Sequence, residues 1–67
     1  MSDRATQAAT DLMNALAPAL ANPAAITDGQ ISTLETLAHR AHDEIEAGGG
    51  DYAGTIRRAS DRRTNGH

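Results

Sequence analysis

A chain of 67 residues with a net charge of −3 and no cysteine, tryptophan or phenylalanine has little with which to hold itself together. A domain this short buries only about 60% of the surface its unfolded form exposes, and the missing cysteines exclude disulfide staples and thiolate metal sites. No apolar run approaches the ~20 residues needed to span a bilayer, and Ser2-Asp3-Arg4 is not the basic opening of a secretory signal, so a cytoplasmic location is expected.

The first element is a helix over about 3–17. Ala5, Ala8, Ala9, Leu12, Met13, Leu16, Ala19 and Leu20 return at steps of three and four, which at about 100° per residue is one apolar stripe. Asp3, Gln7, Thr10, Asp11 and Asn14 fall on the other side, and Ser2 or Asp3 is available as an N-cap. Pro18 has no amide hydrogen and its ring crowds the carbonyl four residues back, so it ends or kinks this helix. Pro23 then opposes helix at Asn22, so Ala19-Leu20-Ala21 can form a last distorted turn and Asn22 to Ile26 reads as the connector.

The second helix, over about 28–47, has the sharpest start signal in the chain. Thr27-Asp28-Gly29-Gln30 has the spacing of a capping box, and Ile26 and Ile31 occupy the two staple positions around it. Ile31, Leu34, Ala38, Ala41 and Ile45 then recur at alternating steps of three and four, the spacing of a coiled-coil seam, and Leu37 widens the stripe. Gly48-Gly49-Gly50 stops it.

Residues 51–67 read as an Arg-rich C-terminal arm beside the 1–50 hairpin, flexible or short-helical. Asp51 can cap a short helix carrying Tyr52, Ile56 and Ala59 on one side, but Gly54 lies inside it and Thr64 to His67 looks frayed. Charge divides along the same boundary. Residues 1–50 carry Arg4 and Arg40 against seven acids, whereas residues 51–67 carry Arg57, Arg58, Arg62 and Arg63 against Asp51 and Asp61.

The expected fold is therefore all-α, an antiparallel hairpin with one apolar stripe on each helix. Two such stripes cover one another only in part, and alanines at positions 5, 9, 38 and 41 permit close helix approach, so two hairpins are expected to pair into a homodimeric four-helix bundle. Such a dimer is similar in topology to the Rop-type plasmid hairpins, which bind RNA; no residue motif is shared, so the likeness transfers no functional residue.

Three chemistries are weighed on these residues. Leu12, Leu16, Ile31, Leu34, Leu37 and Ile45 are the expected association surface, with self and with a larger protein, and Tyr52, Arg57, Arg58, Arg62 and Arg63 are expected to set partner choice, since tyrosine and arginine are enriched at interaction hot spots. The arginines also suit nucleic-acid phosphates, although the chain is acidic overall and has one aromatic residue for base stacking. Glu35, His39, His42 and Glu46 form one line on helix 2 with ligand types that suit a divalent metal in a metal-bridged dimer. The same line equally makes solvated helix-supporting pairs, and no cofactor is assigned.

No nucleophile elbow, phosphate-cradling loop or acid–base pair stands out, and Gly48 to Gly50 follow a helix instead of opening one. The sequence thus points away from an enzyme and toward a small regulatory or inhibitory adaptor.

Overall fold

A computed structural model describes residues 3–65, with side chains from Arg4 onward. It contains α1 (Asp3–Ala21), a 3-10 turn (Pro23–Ala25), α2 (Asp28–Ala47) and α3 (Tyr52–Asn65). The expected N-cap of α1, Ser2 or the Asp3 side chain, and the tail residues Gly66 and His67 lie outside the described residues.

Helix α1 does not stop before Pro18 but continues through it to Ala21, four residues past the expected end. Proline at that position removes one amide donor. The turn that follows is closed by the Asn22 amide donating to the Pro18 carbonyl at 3.1 Å, and it carries Ala19 into a buried position.

Helix α2 begins as its sequence signals. The Thr27 hydroxyl accepts from the Gln30 amide at 3.1 Å, and the Gln30 side-chain oxygen accepts from the Thr27 amide at 2.8 Å, completing the capping box. Its end is a Schellman turn: the Gly49 amide donates to the Glu46 carbonyl at 3.2 Å and the Gly50 amide to the Ile45 carbonyl at 2.8 Å. Gly49 and Gly50 have φ of +114° and +82°, values that side chains rarely tolerate.

The C-terminal segment is a full helix of 14 residues docked along α1. Asp51 caps it, with its carboxylate accepting from the Gly54 amide at 3.0 Å. The contacts ascend together in both helices: Arg58 donates to the Thr6 hydroxyl at 3.5 Å, Arg62 to the Gln7 side chain at 2.9 Å and Arg63 to the Asn14 side chain at 2.8 Å. Hence α3 runs parallel to α1, and α1 lies between α2 and α3, packing on both.

The interior is made of small side chains. Ala5, Ala8, Ala9, Ala19, Ala41 and Ala59 are buried with Thr6, Thr10 and Thr55, and Ile45 is the one large apolar residue among them. The buried threonines fit because their hydroxyls find partners without reaching out: Thr10 donates to the Thr6 carbonyl and Thr55 to the Asp51 carbonyl, both at 2.7 Å. Small residues let the backbones approach closely, but they remove little apolar area from water.

Candidate interaction surface

The lengths of the helices decide what stays uncovered. At about 1.5 Å per residue, α3 is one to two turns shorter than α1, and its last described tether to α1 is Arg63 on Asn14. The consequence is legible along the line Ala9, Met13, Leu16, Leu20, whose steps of 4, 3 and 4 place them on one side of α1. Ala9 is buried, Met13 half-buried, Leu16 36% exposed and Leu20 69% exposed.

The neighbouring helices continue this surface. The Tyr52 hydroxyl lies 2.7 Å from His42 Nδ1 and 2.5 Å from a Glu46 carboxylate oxygen, and the Tyr52 and His42 rings stack with centroids 6.0 Å apart. That contact identifies the flank of α2 turned toward α3. Ile31, Glu35, Ala38 and His42 share it, at steps of 4, 3 and 4, and Ile31 is 47% exposed. On α3, Tyr52 and Ile56 stand one turn apart and are 39% and 44% exposed. Leu16, Leu20, Ile31, Tyr52 and Ile56 are thus the exposed large apolar side chains among the described residues, the first three beside the connector and the last two at the start of α3.

The remaining association candidates are placed differently. Leu12, Leu34 and Leu37 are half-buried, whereas Ile45 is 3% exposed and belongs to the chain's own interior. A groove of about 320 Å³ runs between the second half of α1 and the first half of α2, lined by residues that include Ala15, Ala19, Thr33 and Leu34. None of the residues lining it is an acid or a base.

The arginines expected to select a partner are largely spent within the chain. Arg58 is 3.8 Å from the Asp51 carboxylate and donates to the Thr55 hydroxyl at 3.2 Å as well as to Thr6. Arg62 and Arg63 hold α1 as described above, and Arg57 stands exposed on the outer side. The ion pair is solvent-exposed and so adds little stability; its use is to orient Arg58.

Among the described residues no group of three or more histidines and carboxylates is arranged to hold a metal ion, so the proposed line Glu35, His39, His42, Glu46 makes no metal site within one chain. The reason is visible at its C-terminal end, where His42 and Glu46 both turn to Tyr52. A phenol has one hydrogen, and an ionised carboxylate can only accept, so Tyr52 donates to Glu46 and His42 Nδ1 carries the proton that points at the phenol oxygen. The hydrogen bond to Glu46, then desolvation, then the charges of Glu46 and Asp43 push the Tyr52 phenol from its ordinary 10.0 up to about 12.

This three-residue clasp was not foreseeable from periodicity, although each member was singled out for another reason. The available signal was the Asp51 cap, which fixes where α3 starts and so turns Tyr52 back toward α2. Compared with protein-family models, with curated proteins and with solved structures, the chain matches none of them.

Proposed function

We propose that the chain is a small, non-enzymatic regulatory or inhibitory adaptor that pairs with a second copy of itself and binds a larger protein through its helical hairpin. The observation that carries this reading is the graded exposure of Ala9, Met13, Leu16 and Leu20 along one side of α1. Apolar side chains set in a continuous surface, not scattered singly, are the usual mark of a protein-binding site. Leu12, Leu16, Ile31, Leu34 and Leu37 supply the association energy, as in helix-in-groove recognition.

Because one apolar surface cannot be buried twice, the larger protein and the second copy exchange with each other on Leu16, Leu20 and Ile31. The test uses the chain immobilised in a cell extract, beside Leu16→Asp and Ile31→Asp. Both positions are exposed, so helicity by circular dichroism is expected to stay unchanged. A protein retained stoichiometrically by the wild type and lost with either variant supports the reading. The same proteins retained by all three chains would refute it.

A further inference from the structure

We draw no further inference here: the strongest candidate, the exposed apolar surface patch of Leu16, Leu20 and Ile31 beside the connector with Tyr52 and Ile56 at the start of α3, carries nothing because nothing in the structure shows what covers it.

Discussion

The Tyr52 hydroxyl donates to the Glu46 carboxylate at 2.5 Å, joining the first turn of α3 to the last turn of α2 across the glycine turn. Tyr52 is the only aromatic residue of the Phe, Tyr and Trp set, so its ultraviolet absorbance reports this one contact. In the wild type the phenol is expected to titrate near about 12, and in Glu46→Gln to fall back toward 10.0. The folded-state value lies above the unfolded one, so this contact's stabilisation is complete below about 10 and is lost as pH rises from there through about 12. A phenol titrating at its ordinary value in the wild type would show that the clasp is open in solution.

Asp51 and Gly54 form a matched pair at the start of α3. The capping carboxylate folds over Gly54 so closely that a methyl group there would collide with it. Alanine in place of glycine inside a helix normally stabilises by about 1 kcal/mol, but here Gly54→Ala is expected to give no gain because it displaces the cap. Asp51→Ala alone is expected to cost about 1 kcal/mol. In that background Gly54→Ala should recover its normal benefit, a non-additivity that a double-mutant cycle by urea denaturation measures directly. Simple additivity would mean that the cap does not form.

The capping box of α2 makes a cleaner prediction. Thr27→Ala removes the acceptor for the Gln30 amide and is expected to destabilise the fold by about 1 kcal/mol. Thr27→Ser keeps the hydroxyl and is expected to stay within a few tenths of the wild type. Equal losses for both substitutions would assign the effect to the threonine methyl group instead.

Ala59 is fully buried between α3 and its neighbour, with no room designed for a larger side chain. Ala59→Leu is expected to cost about 1–3 kcal/mol through overpacking and to detach α3 before the hairpin melts. Amide hydrogen exchange checks this. Protection should fall across Tyr52–Asn65 while the amides around Ala41 and Ile45 keep theirs.

The parts of this fold that were legible in the sequence are those encoded locally. Thr27, Gln30 and the triple glycine delimit α2 through contacts within four or five residues, and periodicity finds the stripes of α1 and α2. The end of α1 was misplaced because the helix continues through Pro18 into a last turn, closed by the Asn22 amide on the Pro18 carbonyl, that buries Ala19. The docking of α3 was not legible because it rests on partners about fifty residues apart, Arg58 with Thr6 and Arg63 with Asn14. It also rests on Thr55, a polar residue that no apolar stripe includes, buried beside Ala59. The surface candidates divide for the same reason: Leu16 and Ile31 are left exposed where α3 ends, whereas Ile45 lies at the end that α3 closes.

A single copy of the chain leaves Leu16 36%, Ile31 47% and Leu20 69% exposed, and the proposed self-association covers them. Sedimentation equilibrium of the wild type and Leu16→Asp at micromolar concentration measures this most directly. The wild type is expected at twice the chain mass and Leu16→Asp at one, with equal helicity. A wild type that stays at the mass of one chain and melts cooperatively at that dilution would contradict it.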